Sequence, residues 1–204
     1  AVTDPAQRTL LYTYDDNGNL ATLTDAAGNV TTYAYNNSHF LLGIRDPRGI
    51  QPIQNQYDAS GRLISSTDAF GKTISYTPDL ANHQETVTDR LGNQTVNVYD
   101  ADGNIIKVID AAGGITTRTY DSNDNLLTET NPLGKTRTYT YDANNNRLTE
   151  TDADGNTTRY TYTALNRVET ITDPLKRITT NSYDGNGNLL STIDATGNKT
   201  AYTY

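Results

Sequence analysis

Short runs of Thr, Ile, Val, Leu and Tyr alternate along the chain with polar runs rich in Asp, Asn and Gly. The apolar runs, such as NIIKVI at 104–109 and GITTRTY at 114–120, have the composition and the six- or seven-residue length of β-strands. Several runs end in Tyr-x-Tyr, and a period of two places both rings of a pair on one face. These pairs are Tyr12/Tyr14, Tyr33/Tyr35, Tyr139/Tyr141, Tyr160/Tyr162 and Tyr202/Tyr204. The pattern predicts short strands with one shared tyrosine face, which we expect to be the core side.

The tyrosine that ends each such run recurs at a fixed interval. These repeat anchors are Tyr14, Tyr35, Tyr57, Tyr99, Tyr120, Tyr141, Tyr162, Tyr183 and Tyr204, with Pro78 in the one slot that is not Tyr. Every interval is 21 residues except that from Tyr35 to Tyr57, which is 22. A fixed period of about 20 to 50 residues is typical of repeat architectures.

The period divides the chain without leaving room for a second kind of domain. It predicts one repeat array over 1–204, with repeats at 14–34, 35–56, 57–77, 78–98, 99–119, 120–140, 141–161, 162–182 and 183–203, and a partial repeat at 1–13. Because the chain starts within a repeat and stops on an anchor, we expect it to be a segment of a longer protein.

Each repeat carries two turn signals of the form Asp-x-x-Gly. In a type I turn, Asp is favoured at the first position because its side chain binds the backbone ahead, and a following residue with positive φ favours Gly. Such a turn with a G1 bulge closes a short β-hairpin. The structural turn residues are Gly18, Gly28, Gly49, Gly61, Gly71, Gly92, Gly103, Gly113, Gly134, Gly155, Gly187 and Gly197, with Asp15, Asp25, Asp68, Asp89, Asp110, Asp152 and Asp194. Each repeat is therefore predicted to contain two antiparallel strands and two turns.

Several turns replace the glycine with another residue. In first turns the substitutes are His39, Asn82, Asp124, Asn145 and Asn166. Asn, Asp and His are the non-glycine residues most enriched at positive φ, so we expect positive φ at all five positions. Lys176 is the departure among the second turns. A Lys at positive φ is strained, and its loop is the doubtful case.

Composition and charge limit the classes of function. The chain has 204 residues, a net charge of −8 and only 34% hydrophobic residues, so a thick core is hard to build. Nucleic acids and anionic membranes are bound through basic patches, which the acidic composition does not favour. No apolar run approaches the roughly 18 residues of a membrane-spanning helix. The chain contains no Cys, so disulfides and thiolate sites are excluded.

Two architectures could use such repeats. In a parallel β-solenoid, equivalent aspartates such as Asp68 and Asp89 would stack about 4.8 Å apart, whereas a meander separates them by about twice that distance. We therefore expect an all-β fold in which the repeats form a continuous meander sheet. We expect this sheet to curl, because twisted sheets of more than about ten strands rarely stay open and flat. A β-solenoid or a fibre is the alternative.

The repeat unit resembles the YD repeats of Rhs proteins, of toxin-complex C components and of teneurins. The resemblance rests on Tyr-Asp-x-x-Gly-Asn-Leu followed by Thr-Asp-x-x-Gly-x-x-Thr-x-x-Tyr, and it covers essentially the whole chain. It implies a β-sheet strip that spirals into a hollow shell, often around a C-terminal toxic domain, and it implies no enzyme. Family members that release their cargo use a separate segment with paired Asp-Pro motifs. The Asp-Pro at 46–47 falls instead on an ordinary second turn.

Other short motifs suggest chemistry that turn formation explains better. DADGN at 100–104 and at 152–156 is similar to the start of a calcium loop, but Ile105 and Thr157 hold the position that needs Gly. Ser38 beside His39 suggests a nucleophile and a base, yet adjacent side chains point apart and no third member is identifiable. Asn-x-Thr, the acceptor pattern for N-glycans, occurs at Asn29, Asn93, Asn156 and Asn198, where a turn leads into a strand.

The two histidines, His39 and His83, show no metal-binding spacing. We interpret them as solvated turn residues whose replacement by Ala changes stability by less than about 0.5 kcal/mol.

The sequence thus favours a non-catalytic structural repeat region of a secreted or cell-surface protein, a wall that encloses or presents a cargo or toxin domain. The alternative is an extracellular fibre or adhesin-like stalk, of a carbohydrate-binding or self-assembling kind. No catalytic residue, cofactor or metal site is predicted. The expected partners are further repeats of the same chain or copies of itself, because open sheet edges expose unpaired backbone groups. An enclosed toxin domain is a further expected partner, whereas nucleic acid and membrane insertion are not expected.

Overall fold

The computed structural model describes all residues from 1 to 204 and consists almost entirely of short strands and tight turns. The strands are β1 Val2–Thr3, β2 Thr9–Tyr14, β3 Leu20–Thr24, β4 Val30–Tyr35, β5 Leu41–Arg45, β6 Ile53–Tyr57, β7 Leu63–Thr67, β8 Thr73–Asp79, β9 Gln84–Thr88, β10 Gln94–Tyr99, β11 Ile105–Ile109, β12 Ile115–Tyr120, β13 Leu126–Thr130, β14 Thr136–Tyr141, β15 Arg147–Thr151, β16 Thr157–Tyr162, β17 Val168–Thr172, β18 Ile178–Tyr183, β19 Leu189–Ile193 and β20 Lys199–Ala201. The one helical segment is a 3-10 turn at Leu80–Asn82. The chain contains no helix with the length and apolar character that crossing a bilayer requires.

The chain divides into two compact units, residues 1–97 and 98–204. In the first unit, β1 to β9 pair with one another in chain order, and every pair is antiparallel. In the second unit, β11 to β20 do the same. The predicted all-β antiparallel meander is therefore confirmed, and the parallel solenoid is excluded because its neighbouring strands would run in the same direction.

A one-residue register shift occurs at nearly every anchor tyrosine. In the pair of β12 with β13, Thr119 lies opposite Thr128 but Tyr120 lies opposite Leu126. The same shift occurs at Tyr14, Tyr35, Tyr57, Tyr141, Tyr162 and Tyr183. Such a bulge gives one strand an extra residue and increases the local twist. The anchor therefore sits where the regular ladder ends, beside the first turn.

The tyrosine face is the less exposed face of the sheet, but it does not form a core. In β4, half-buried Tyr33 and Tyr35 alternate with exposed Thr32 and Ala34. No apolar side chain in the chain is buried, and the only buried residue is Ser191. The expectation of a core side is wrong because each unit is a single layer of sheet, with nothing packed over its tyrosine face.

The opposite face, called here the hydroxyl face, is lined by pairs of Thr or Ser side chains from neighbouring strands. Their Oγ atoms lie 2.6 to 2.8 Å apart, within hydrogen-bond distance, in the pairs Thr13/Thr22, Thr119/Thr128, Thr140/Thr149, Thr161/Thr170 and Ser182/Ser191. Cross-strand hydroxyl pairs of this kind stabilise antiparallel strands by about 0.2–1 kcal/mol each. The hydroxyl face is therefore polar, and its hydroxyls are hydrogen-bonded in pairs.

The structure yields a prediction about deletions, because a whole repeat contributes two strands. Removal of 120–140 joins Thr119 to Tyr141 and leaves every other side chain on its original face, so we expect a shortened array that still folds. Removal of 120–130 alone takes out one strand and one turn, so the strands that follow must reverse or slip, and we expect aggregation or unfolding. Circular dichroism and thermal melts of the two variants provide the measurement. Equal damage from both deletions would contradict the repeat assignment.

Candidate functional site

The same hairpin turn recurs along the chain, and the turn at Asp142 illustrates its hydrogen bonds. The Asn145 N–H donates to the Asp142 carbonyl at 3.1 Å, and the Asp142 N–H donates to the Asn146 carbonyl at 3.0 Å. The Asp142 Oδ1 accepts from the N–H groups of Asn144 and Asn146, both at 2.9 Å. One carboxylate oxygen thus holds two backbone donors of its own loop, which is why Asp begins the turn.

The same two backbone bonds form at all seven turn aspartates singled out from the sequence, Asp15, Asp25, Asp68, Asp89, Asp110, Asp152 and Asp194. Seven further aspartates make them too, namely Asp4, Asp46, Asp58, Asp100, Asp121, Asp142 and Asp184. Asn36, Asn131 and Thr163 replace Asp with the same bonding pattern.

The predicted backbone angles are confirmed at most turns. All twelve turn glycines have positive φ, between 73° and 93°. Among the five substitutes, His39, Asp124, Asn145 and Asn166 have φ between 56° and 64°. Lys176, the doubtful case, also adopts positive φ at 66°, and its N–H donates to the Asp173 carbonyl as in other turns. The backbone demand of the turn is therefore met even by Lys.

The prediction for Asn82 is wrong. Asn82 ends the 3-10 segment, and the left-handed residue is His83, with φ of 51°. Strands β8 and β9 stay in register through Pro78, opposite Glu85, without the usual bulge at the anchor slot. In other repeats one residue of the following strand is left unpaired at the bulge. Here every residue from Pro78 to Asp79 pairs with one from Glu85 to Gln84, so the connection between the two anchor-level partners is one residue longer. Gln7, in the partial repeat, also has positive φ, which the sequence reasoning did not consider.

Consecutive first turns of the second unit are linked by side-chain amides, a feature named here the amide ladder. The Nδ2 of Asn104, Asn125 and Asn146 donates to the Oδ1 of Asp124, Asn145 and Asn166 respectively, at 2.7 to 2.8 Å. Each acceptor is the positive-φ residue of the next repeat. In the first unit His39 occupies the same position, and its Nδ1 lies 2.6 Å from Asn19 Oδ1, an acceptor that makes Nδ1 the donor.

Two glycines at the positive-φ position face large neighbours instead of Asn. A Cβ at Gly61 would lie 2.6 Å from the ring of Phe40, which occupies the slot that Asn fills elsewhere. A Cβ at Gly187 would lie 3.3 Å from the Arg167 side chain, in the equivalent slot. The residue at positive φ therefore depends on its neighbour in the preceding repeat as well as on its own backbone. Where the neighbour is Asn, the positive-φ residue has a polar side chain, and where the neighbour is Phe40 or Arg167, the positive-φ residue is Gly. A single repeat cannot reveal this rule, but comparing residues 20 positions apart could have shown it.

The anchor tyrosines have a polar function that the sequence reasoning missed. The hydroxyls of Tyr57, Tyr120, Tyr141, Tyr162 and Tyr183 donate to the carbonyls of Leu41, Ile105, Leu126, Arg147 and Val168, at 2.8 to 3.2 Å. Each acceptor is the first residue of the preceding strand and lies outside the paired part of the ladder between that strand and the strand of the tyrosine. Burial raises the pKa of the Tyr141 and Tyr162 phenols, which keeps the donor proton in place. The anchor thus gives a hydrogen-bond partner to a backbone carbonyl beyond the last paired residues of these two strands.

Hydrogen bonds hold the pKa of many turn carboxyls below the ordinary value of 3.8. At seven of them, the amide of the Asn four residues later is the largest cause, followed by its backbone N–H; these are Asp15, Asp25, Asp89, Asp121, Asp142, Asp152 and Asp184. The pKa of the Asp194 carboxyl is also lowered, chiefly by the Thr196 hydroxyl. These donors favour the charged form of the carboxyl.

The other sequence candidates lie in ordinary turns. Asp100 and Asp152 use Oδ1 for their own loop N–H groups, and no group of three or more His, Cys, Asp or Glu residues is placed to hold a metal ion. His39 Nδ1 is hydrogen-bonded to Asn19, and no hydrogen bond joins the Ser38 hydroxyl to the His39 ring. The Asp-Pro at 46–47 starts a turn closed at Gly49.

The four Asn-x-Thr asparagines use the nitrogen that would carry a glycan. The Nδ2 atoms of Asn29, Asn93, Asn156 and Asn198 donate to the Oδ2 of Asp25, Asp89, Asp152 and Asp194 at 2.8 to 3.0 Å. In the structure, these amides therefore form part of the turn.

The expectation for the histidines changes on this geometry. His39 and His83 are turn residues, but both have positive φ, and His39 also bonds the preceding repeat. An Ala would carry the same left-handed strain as the His that it replaces, so the backbone adds little to the cost. At position 39, however, Ala would also remove the hydrogen bond to Asn19, worth about 0.5–1.5 kcal/mol, so we expect more than the 0.5 kcal/mol predicted from the sequence.

Several second turns carry an exposed apolar side chain at their third residue. Phe70, Leu91, Leu133 and Leu175 are 73% to 89% exposed. Each unit thus has exposed apolar side chains at the ends of its strands where the second turns lie, while the two faces of its sheet are largely polar or half-buried.

These features define the class of protein: a tandem β-hairpin repeat protein whose repeats are joined by turn and anchor hydrogen bonds, without a hydrophobic core. The family model for the RHS repeat matches residues 1–30, 14–51, 57–94, 99–136, 120–157 and 141–178. The chain therefore belongs to the RHS repeat family, a family of structural repeats. No curated protein sequence matches the chain.

Solved structures with the same fold come from toxin complexes. The chain is similar to the crystal structure of TcdB2-TccC3-TEV, with a TM-score of 0.70 and 17% identity over 96% of this chain and 12% of that one. It is also similar to TcdB2-TccC3-Cdc42 (TM-score 0.59, 17% identity, 91% and 12% covered). A third match is the Tc holotoxin pore of Photorhabdus luminescens (TM-score 0.53, 17% identity, 91% and 13% covered). The chain spans only about an eighth of the length of these proteins.

The amide ladder predicts energetic coupling between neighbouring repeats. In a double-mutant cycle of Asn125→Ala with Asn145→Gly, we expect a coupling energy of about 0.5 kcal/mol or more, because each single change already removes the shared hydrogen bond. The control cycle of Asn125→Ala with Asn166→Gly joins residues that are not bonded and should be additive. Chemical denaturation of the six proteins measures both cycles. Additive effects in the first cycle would show that the ladder contributes nothing.

The lowered carboxyl pKa values predict a loss of stability in acid. Because the folded-state pKa lies below the unfolded value of 3.8, the stabilising contribution is complete above that pH and is lost as the pH falls toward the folded pKa. We expect a thermal midpoint that changes little between pH 7 and 5 and falls steeply below about pH 4.

A triple variant, Asp121→Asn, Asp142→Asn and Asp152→Asn, provides the matched comparison. Asn131 shows that Asn can hold this turn position. We expect a modest loss at pH 7 and a shallower fall in acid, because three titrating groups are removed. An unchanged acid profile would contradict the assignment of the effect to the turn carboxyls.

Proposed function

We propose that the chain is a non-catalytic section of the β-sheet wall of a longer secreted or cell-surface protein, and that the wall encloses or presents a cargo such as a toxin domain. The observation that carries the proposal is the one-layer sheet itself: 20 strands, two polar turns per repeat and no buried apolar side chain. Such a sheet separates two spaces but does not enclose a site of its own.

The family and the fold support this function. The chain belongs to the RHS repeat family, and its fold neighbours are complexes that contain TccC3, one of them solved without a hypervariable C-terminal region of that protein. The exposed apolar tips at Phe70, Leu91, Leu133 and Leu175 add a physical argument, because covering exposed apolar side chains with other protein is favourable. We infer that further repeats of the same wall cover these tips.

The electrostatics are also suited to a wall. Fourteen turn aspartates accept hydrogen bonds from backbone N–H groups of their own loops, so their carboxylates are held in separate turns and do not cluster at one site. Groups that catalyse proton transfer need converging side chains with pKa values tuned toward the working pH. The carboxyl pKa values here move away from neutrality.

Protease protection tests the proposal in the full-length protein that carries this chain. We expect the non-repeat domain to resist digestion while the array is intact, and to be digested after removal of 120–130, because that deletion disrupts the sheet. The variant lacking 120–140 is the control and should protect the domain better than the variant lacking 120–130. Digestion at one rate in all three proteins would contradict enclosure. Electron microscopy separates the alternative, since a fibre would give extended filaments with an exposed domain.

A further inference from the structure

The hydroxyl face of the first unit is interrupted in the repeat at 35–56. One repeat earlier along the array, Thr13 and Thr22 lie opposite each other and their hydroxyls are 2.6 Å apart. At the same position of β4 and β5, Ala34 lies opposite Gly43. These residues have no side chain beyond Cβ, so the row of hydroxyls gives way to a bare strip of backbone.

The same repeat contains the extra residue of the 22-residue interval. The connection from β5 to β6 spans seven residues, 46–52, whereas that from β13 to β14 spans five, 131–135. Pairing of β5 with β6 stops at Ile44 and Ile53, so Gln51 and Pro52 face Arg45 outside the ladder. A bulge of this kind redirects side chains. Gln51 and Arg45 both line the resulting depression.

The depression has a volume of about 450 Å³. This lies within the range of roughly 300–1,000 Å³ that small-ligand sites occupy. Ala34 and Gly43 form its floor, and Thr32, Arg45, Gln54 and Gln56 surround them. Cross-strand pairing places these residues on the hydroxyl face, since Thr32 lies opposite Arg45 and Gly43 opposite Gln54.

Most charged and amide side chains of the depression have no partner within the chain, and the exception is Asn55, whose amide donates to the Leu41 carbonyl at 3.1 Å. Arg45 makes no ion pair or hydrogen bond, and neither do the side-chain amides of Gln54 and Gln56. The adjacent carboxylate of Asp46 is already bound by Arg48 at 2.6 Å and by its own turn. A free guanidinium and two free amides thus converge on a floor without side chains.

We propose that this depression binds a short extended peptide through one of its acidic side chains. A guanidinium binds a carboxylate through two parallel charge-assisted hydrogen bonds. Gln54 and Gln56 are two residues apart on one strand, a spacing of about 7 Å, which is also the repeat of an extended peptide backbone. Their amides can therefore donate to and accept from successive peptide groups. The floor of Ala34 and Gly43 lets the backbone of the ligand approach closely.

The net charge of the whole chain restricts where an acidic peptide can bind. With a net charge of −8, the chain repels acidic ligands in general, so an acidic peptide is held only where a cation lacks a partner. Arg159 provides a comparison on the corresponding face of the second unit. It also makes no ion pair, but it lies opposite Thr149, whose hydroxyl pairs with that of Thr140, so the strands beside it keep their hydroxyl side chains.

The test is titration of the isotope-labelled 204-residue chain, followed by amide chemical shifts, with the probe acetyl-Ala-Glu-Ala-amide. We expect saturable shifts at Thr32, Ala34, Gly43 and Gln54. Arg45→Gln should weaken binding at least about tenfold, because a charge-assisted pair is lost. Ala34→Thr restores a side chain used at this position by the neighbouring repeat and should also weaken binding by obstructing the floor. The matched control, Arg159→Gln, should bind as the parent chain does.

Two further probes separate the sources of affinity. The Gln analogue of the peptide lacks the charge and should bind at least about tenfold more weakly. Glutarate has carboxylates but no peptide groups, and it should also bind more weakly than the acidic peptide. Equal binding of glutarate and the peptide would overturn the peptide assignment, and absence of saturable shifts with the acidic peptide would overturn the site. Equal losses in Arg45→Gln and Arg159→Gln would show that binding is nonspecific, which also overturns it.

Discussion

The residue with positive φ at the end of each hairpin loop is the constraint on which the rest of the structure depends. It lets one loop close two backbone hydrogen bonds while the Asp side chain binds two further N–H groups, as at Asp142. Loop length then fixes the strand register, because a shift of one residue would move every side chain to the other face. Two such loops in each 21 residues generate the repeat, and the repeat generates the sheet. A strained Lys176 in this position shows how strongly the loop geometry is imposed.

Stability in this chain is distributed among many polar contacts. Buried apolar side chains are absent, so no single packed region can supply most of the free energy of folding. Individual hydrogen bonds contribute only about 0.5–1.5 kcal/mol each. They recur in every repeat, however, and three sets link neighbouring strands or repeats: the hydroxyl pairs, the amide ladder and the anchor tyrosines. In a repeat protein such nearest-neighbour terms add up along the array.

Much of this fold could be predicted from the sequence, because turn chemistry is local. The spacing of Asp, Gly and Tyr determines the strands, the turns and nearly all positive-φ positions. The failures arise where contacts between repeats override local signals. In the repeat with Pro78 at the anchor position the bulge is absent and the left-handed residue is His83, and at Gly61 a side chain would collide with Phe40, 21 residues earlier. The prediction that the tyrosine face is the core side was wrong for another reason: the sequence pattern cannot show whether anything packs on that face.

Regularity also restricts where specific functions can arise in such an array. Turn and anchor residues are committed to the backbone, so a distinctive site can develop only at strand positions or where the spacing changes. The repeat at 35–56 changes both, with Gly43 in place of a hydroxyl and an extra residue before β6. Each unit is a single layer of sheet in which no apolar side chain is buried. The two proposed functions, recognition at an exposed depression and separation of two compartments, do not require a buried site.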